Sequence, residues 1–313
     1  MAIEHKAPLT SSEIGILWIQ YMGDTMALCL EKFHVAKEQD SQVRAIYQDA
    51  VSLMEKTTAQ IRQIFQNECI PLTQGFTDAD VNLEAPPLYS GIYRLQYFKY
   101  EMNLRLMANG LCMGESSRAD VRNFYRNLSI AIMDLDDRAT NLLLEKGLYI
   151  RAPFITVSER LELVRGQNFM KTFFGSGERK LLASEIGTLF CNIRNNVMGK
   201  ILLTGFSQVA ESAEVREFMS RGVEIAKKHV QIYSTILYEE DIPIPMSSNS
   251  DVTDSTVAPF SDKLMLYHGV LLNQVGFAAY GTSISISMRK DLQTLYTRLV
   301  AKSVNMLLTE PIY

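Results

Sequence analysis

The residues in this chain best placed for chemistry are Glu31 and His34. A Glu-x-x-His spacing puts a carboxylate and an imidazole on one helical face, because positions i and i+3 are neighbours there. A di-metal carboxylate site in a four-helix bundle needs that motif on two helices. It also needs a Glu from each of the other two, all pointing inward. Glu31-Lys-Phe-His34 is the single Glu-x-x-His in the sequence. It falls where the first helix is expected to fade, so a solvated helix end is the favoured reading, and a di-iron centre is not expected.

The remaining histidines are His5, in the N-terminal tail, and His229 and His268, in the second half. If helices six and seven run parallel, His229 and His268 lie about 15 Å apart along the axis at about 1.5 Å per residue. One ion cannot span that gap. Both are read as hydrogen-bonded core histidines. Asp134, Asp136 and Asp137 cluster on the fourth helix and read as solvated surface, with a weak hard-cation site as the minor alternative. Asp251, Thr253, Asp254 and Ser255 suit local turn and cap bonds. No glycine-rich phosphate loop, nucleophile elbow or Cys–His arrangement occurs. The expectation is therefore no catalytic residue, no metal ligand and no cofactor.

The elements that would position these groups are written twice. Ser12-Glu13-Ile14-Gly15 returns as Ser184-Glu185-Ile186-Gly187, 172 positions on. At the same offset Val43-Arg44 meets Val215-Arg216, Glu68 meets Glu240, and Ile70-Pro71 meets Ile242-Pro243. One deletion near residue 89 makes the offset 171, and Arg118, Asp120, Tyr125 and Leu128 then meet Arg289, Asp291, Tyr296 and Leu299. Colinear matches of this kind argue for an internal duplication. The copies differ where chemistry was sought. Leu203 and Phe206 stand in place of Glu31 and His34, while His229 and His268 replace Thr57 and Tyr97.

Each copy reads as four helices. In the first, Ser11 or Ser12 caps a helix whose apolar stripe runs Ile14, Leu17, Trp18, Tyr21, Thr25, Leu28 and Cys29. Asp40 or Ser41 caps a second helix ending near Glu68. Residues 69–89 hold three prolines and several turn formers, too long a stretch for a helical hairpin. Such a length suits a crossover between parallel second and third helices, as in ferritin-like bundles. The third helix covers roughly 90–111, and the fourth 118–146, stopping at Gly147. The second copy places helices near 182–207, 213–239, 261–283 and 288–309. The fold class expected is all-α: two tandem ferritin-like four-helix bundles from an internal duplication, with a long crossover between helices 2 and 3 of each. The boundaries are 9–147 for the first bundle, 148–181 for a linker and 182–313 for the second. The linker is expected to hold a short helix at 157–164, and Phe169, Met170, Phe173 and Phe174 are expected to pack the bundles together.

The chain has 313 residues and a net charge of −4, from 31 basic and 35 acidic side chains. Such a balance gives no reason to expect nucleic acid or an anionic membrane as partner. The four cysteines, Cys29, Cys69, Cys112 and Cys191, form no C-x-x-C pair. They read as reduced core or near-core thiols in apolar helical surroundings of a cytoplasmic protein. Residues 264–288 carry no formal charge. Polar residues interrupt them and the repeat partner is charged, so a buried helix is expected rather than a membrane span. Attachment to a lipid surface through them is the least favoured reading.

The runs Leu203-Thr-Gly-Phe-Ser-Gln-Val-Ala210, Glu224-Ile-Ala-Lys-Lys-His229, Val252-Thr-Asp-Ser-Thr256 and Pro259-Phe-Ser-Asp-Lys-Leu264 resemble a family from endospore-forming bacteria. Its members are tandem ferritin-like four-helix proteins of unknown function, similar to some spore-coat proteins. The resemblance implies the fold and offers no activity to carry over. One departure is that such chains continue past the last helix, whereas this sequence stops at Tyr313. The function expected is a non-catalytic structural or interaction protein, spore-associated, working through a protein partner or self-association. The alternative is a degenerate ferritin-like protein holding a metal or small apolar ligand in the second bundle.

Overall fold

The computed structural model describes residues 7–156, 179–244 and 251–308. His5 and the expected linker helix and aromatic cluster, 157–164 and 169–174, lie outside the described residues. The α-helices are α1 (Ser11–Lys37), α2 (Ser41–Asn67), α3 (Gly91–Glu115), α4 (Ala119–Glu145), α5 (Ala183–Val209), α6 (Ala213–Glu239), α7 (Asp262–Ile286) and α8 (Lys290–Leu308). Among the described residues there is no β-strand, only an isolated bridge between Val81 and Phe260. The protein is thus all-helical, and the lengths of the first three helices repeat from one half to the other. It divides into two compact units. Unit 1 is Met1–Tyr149 with Thr253–Met265, and unit 2 is Ile150–Val252 with Leu266–Tyr313.

In unit 1 the buried carboxylate of Glu13, in the first turn of α1, organises one end. Thr10, rather than Ser11 or Ser12, is the cap, because its hydroxyl accepts the Glu13 N–H while Glu13 accepts the Thr10 N–H at 2.9 Å. The other Glu13 oxygen leaves its own helix. It accepts the N–H groups of Ser117 and Arg118 at 2.8 and 2.9 Å, in the turn between α3 and α4. Arg118 in turn bonds Glu68, just beyond α2, at 2.6 Å. The start of α1, the end of α2 and the α3–α4 turn therefore meet at one end. At the opposite end Glu38, after α1, pairs with Arg94, in the first turn of α3, at 3.1 Å. There Lys146, after α4, also reaches Asp40, before α2, at 2.6 Å.

This arrangement fixes direction. The chain leaves α2 at one end and enters α3 at the other, so α2 and α3 run parallel and the intervening segment must travel the length of the unit. It does so along α1. Thr73 accepts from the Trp18 indole at 2.8 Å, Phe76 N–H donates to Thr25 Oγ1 at 3.1 Å, and Asp78 pairs with Lys32 at 2.7 Å. From Trp18 to Lys32 is about 21 Å of helix. The segment Thr253–Met265 of the same unit lies on this crossover. Thr253 donates to the carbonyls of Leu88 and Pro87, Asn82 N–H donates to Pro259 O, and Ser261 donates to Asp80. Ser255 N–H and Val257 N–H make the local turn bonds expected there.

Unit 2 repeats the end lock, with Leu182 in place of the capping Thr10 and Arg179 as a further partner of the carboxylate. Glu185, fully buried in the first turn of α5, accepts the N–H groups of Met288 and Arg289 at 3.0 and 2.9 Å. Arg289 bonds Glu240, after α6, at 2.9 Å and Asp291 at 2.8 Å. Even the backbone just past α2 and α6 agrees, since Cys69 and Asp241 both adopt the left-handed conformation, at φ 55 and 57. Cys69 is a correction to the expected near-core thiol. It is exposed, because it occupies the position after the helix where the chain reverses. Gly147, at φ 68, closes α4 as expected.

Burial alone would push the lock carboxylates up, but their donors outweigh it. The backbone N–H groups of Arg118, Thr10 and Ser117 bring Glu13 to about 2, and Arg179, Leu182 and Arg289 bring Glu185 to about 2. A carboxylate depressed in the fold stabilises above its ordinary range, and that stability is lost as pH falls from about 4.5 towards 2. Glu13→Ala is expected to cost about 2–3 kcal/mol near neutral pH and to flatten this acid limb in denaturant titrations. Gly75→Ala is expected to cost about 1–3 kcal/mol. A β-carbon there would stand 2.4 Å from Thr25 Oγ1, a stiff side chain already holding Phe76 N–H.

Candidate functional site

The interface between α1 and α3 is a ladder of buried ionisable groups. Asp24, Glu31 and His34 recur at helical spacing along α1, with Glu38 just after it, and Arg94, Tyr97, Glu101 and Arg105 recur along α3. Because the helices run in opposite directions, Glu38 meets Arg94 at one end of the ladder. Asp24 meets Arg105 at 2.6 Å at the other. Arg105 also holds Glu101 at 3.0 Å, and Asp24 accepts further bonds from Gln20 at 2.8 Å and Thr57 at 2.7 Å. Glu31 and His34 lie between, with His34 Nδ1 3.2 Å from Glu31 Oε2.

The expectation of a solvated helix end at Glu31 and His34 is therefore overturned: they are 1% and 8% exposed. The helix does end at Lys37, but the crossover and α3 cover it to that point. Burial pushes the Glu31 carboxyl up to about 8, against the pull of Arg105 and Arg94. Burial, helped by the charge of Arg94, pushes the His34 imidazole down to about 3. Burial thus favours the neutral form of both Glu31 and His34. Burial likewise raises Glu101. The groups facing Glu31 and His34 from α3 include two guanidiniums, a setting that opposes a bound cation. Among the described residues no group of three or more His, Cys, Asp and Glu could hold a metal ion.

The acidic cluster on α4 also differs from expectation. Asp136 pairs with Lys99 of α3 at 3.0 Å with both side chains largely covered, whereas Asp134 stays exposed beside Arg138. Asp136 faces the neighbouring helix because it shares the buried face of Ile132 and Leu135.

In unit 2 the ladder has been emptied of charge as a set. Asn196, Leu203, Phe206 and Ala210 stand where α1 has Asp24, Glu31, His34 and Glu38. Met265, His268, Leu272 and Gly276 stand where α3 has Arg94, Tyr97, Glu101 and Arg105. Neutral bonds take over. Asn192 donates to Ser283 at 2.7 Å, Asn196 to the Tyr280 hydroxyl at 3.0 Å, and the Tyr280 hydroxyl meets His229 Nδ1 at 2.7 Å. Tyr233 and Tyr296 pack beside this group, their rings 6.2 and 6.3 Å from Tyr280. Burial holds His229 at about 4, so it is neutral. His268 is buried against Phe206. Since His229 bonds Tyr280, it sits about 18 Å along α7 from His268, a span of twelve residues. The lack of charge in 264–288 thus goes with uncharged residues at the matching positions of α5. Among the described residues no helix is long and apolar enough to cross a membrane.

The sequence reading missed Asp24, Arg94, Glu101 and Arg105 as members of one constellation. The signal was present. Each departs from its repeat partner by losing charge, and the losses lie on the two helices that face each other.

With this geometry in hand, the class is plain: a duplicated all-helical protein whose two units share an end lock and differ in their polar interiors. The chain belongs to the DUF3231 family, proteins of unknown function, which it matches twice, over residues 1–161 and 169–309. No curated protein matches it. Among solved structures it is similar to one from Bacillus halodurans C-125 described as a "putative spore coat protein". That similarity is at 15% identity, covering 49% of this chain and 99% of the other, with a TM-score of 0.46.

Arg105→Met is expected to cost about 3–5 kcal/mol, because it leaves Asp24 and Glu101 buried without their cation. Adding Asp24→Asn and Glu101→Leu, the residues of unit 2, is expected to restore part of that loss in urea melts. The three changes are coupled and not additive.

Proposed function

We propose that the protein is a non-catalytic structural or interaction protein of ferritin-like four-helix type, deposited with the spore coat and working through self-association or a protein partner. The single observation that carries this reading is the occupation of its ionisable interior. The lock carboxylates hold backbone N–H groups, and the ladder in unit 1 pairs acids with guanidiniums across two helices. Groups held this way brace helix against helix, which supports a structural reading. The ferritin-like reading is supported by the parallel α2 and α3 and the crossover between them. Interaction through a surface is supported by Met107 and Leu111, one turn apart on α3, which are 58% and 68% exposed. A metal or apolar ligand in unit 2 has less support, since His229 is engaged with Tyr280.

The test is purification from sporulating cells. It combines fractionation of coat from cytosol, elemental analysis and light scattering of the pure protein. The expected outcome is recovery in the coat fraction, assemblies larger than a monomer and no stoichiometric metal. A tightly bound metal at one per chain overturns the reading.

A further inference from the structure

Along the α1/α3 ladder the described residues place four acids, Asp24, Glu31, Glu38 and Glu101, against two guanidiniums, Arg94 and Arg105. Two acids are in excess in an interior that disfavours uncompensated charge. Asp24 and Glu38 are the best compensated. Asp24 accepts from Gln20, Thr57 and Arg105, and Glu38 accepts the N–H groups of Gln39 and Asp40 while pairing with Arg94. The excess falls on Glu31 and Glu101.

A second observation bears on the same place. The Tyr47 hydroxyl of α2 and Nε and Nη1 of Arg94 are buried and make no hydrogen bond among the described atoms. Tyr47 is fully covered and Arg94 is 5% exposed. Orphaned buried donors are costly and rare in a settled interior. Both groups lie within electrostatic reach of Glu31. Among the described residues, the titratable and charged groups around Glu31 are His34 on its own helix, Glu38 just after it, Tyr47 on α2, and Arg94, Tyr97, Glu101 and Arg105 on α3. Asp80 and Lys263, from the crossover and from Thr253–Met265, gather instead around Cys29.

We propose that Glu31 is a two-position, proton-operated switch in unit 1: protonated, it bonds His34; ionised, it turns to the waiting donors of Tyr47 and Arg94. The proton leaves from the Glu31 carboxyl to solvent, and no other bond changes. Both positions have partners built in, so the side chain changes its bonds instead of unfolding its helix. The α1/α3 contact tightens around Arg94 when Glu31 is ionised. Unit 2 cannot respond, because Leu203, Met219 and Met265 occupy the places of Glu31, Tyr47 and Arg94. An alkaline shift is thereby read by one copy of the duplicated unit alone.

The test is NMR of the intact protein, following the His34 imidazole and Arg94 Nε–H signals from about pH 6 to about pH 10, the range spanned by a strongly raised carboxyl. In the wild type both signals are expected to move together with one midpoint, while signals of His229 and Tyr280 stay fixed over that step. Glu31→Gln, which mimics the protonated acid in shape, is expected to abolish the step at both residues. Tyr47→Phe, which removes one donor from the ionised position, is expected to keep the step and raise its midpoint by about one pH unit. Flat His34 and Arg94 signals in the wild type would overturn the proposal. So would a step that persists unchanged in Glu31→Gln or a midpoint unmoved in Tyr47→Phe.

Discussion

A buried carboxylate at the first turn of each unit is the constraint on which the rest depends. Glu13 and Glu185 each accept backbone N–H groups from two places far apart in sequence, their own helix start and the turn two helices later. Backbone donors near helix starts cannot be left unbonded in a covered position. One side chain therefore satisfies several of them and fixes which helix ends meet. Arg118 and Arg289 extend the lock to the ends of α2 and α6. Once these ends are fixed, the direction of α3 follows, and so does the need for a segment that runs the length of the unit.

The interior is free to vary within that frame, and the two copies show how far. Unit 1 braces its α1/α3 interface with charges, and unit 2 braces the matching interface with amides, hydroxyls and apolar packing. Buried ion pairs contribute little net stability over well-packed apolar residues, but removing one member alone is costly. Charged ladders therefore change as a group or not at all. The six charged positions of unit 1, and His34, are all matched by uncharged residues in unit 2, while the ladder's Tyr97 is matched by His268.

Much of the fold was legible because duplication printed the important residues twice. Glu13, Glu68, Arg118 and Asp120 stand out in the repeat for a reason the geometry supplies: together they are one lock. The crossover was legible from its length and prolines, since no helical hairpin needs so many residues. The site was less legible. Glu31 and His34 look like a frayed terminus because a helix end in sequence says nothing about what covers it. Arg94, Glu101 and Arg105 suggest a solvated face until Asp24 and Glu38 are known to stand opposite. Cys69 was misread because an apolar neighbourhood in sequence does not reveal a left-handed residue just past the helix. Pairing between distant helices is a tertiary fact, and local spacing carries only half of it.

The grouping of Thr253–Met265 with the first unit has a consequence for the gene. A duplication ordinarily yields two self-sufficient copies that can be separated at the joint. Here the joint no longer marks a clean cut. A fragment ending in the linker leaves behind the strip whose Thr253, Pro259 and Ser261 cover the first crossover, and the complementary fragment carries that strip with nothing to lie on. The repeat boundary in the sequence and the boundary of the folded unit are therefore different places in the gene.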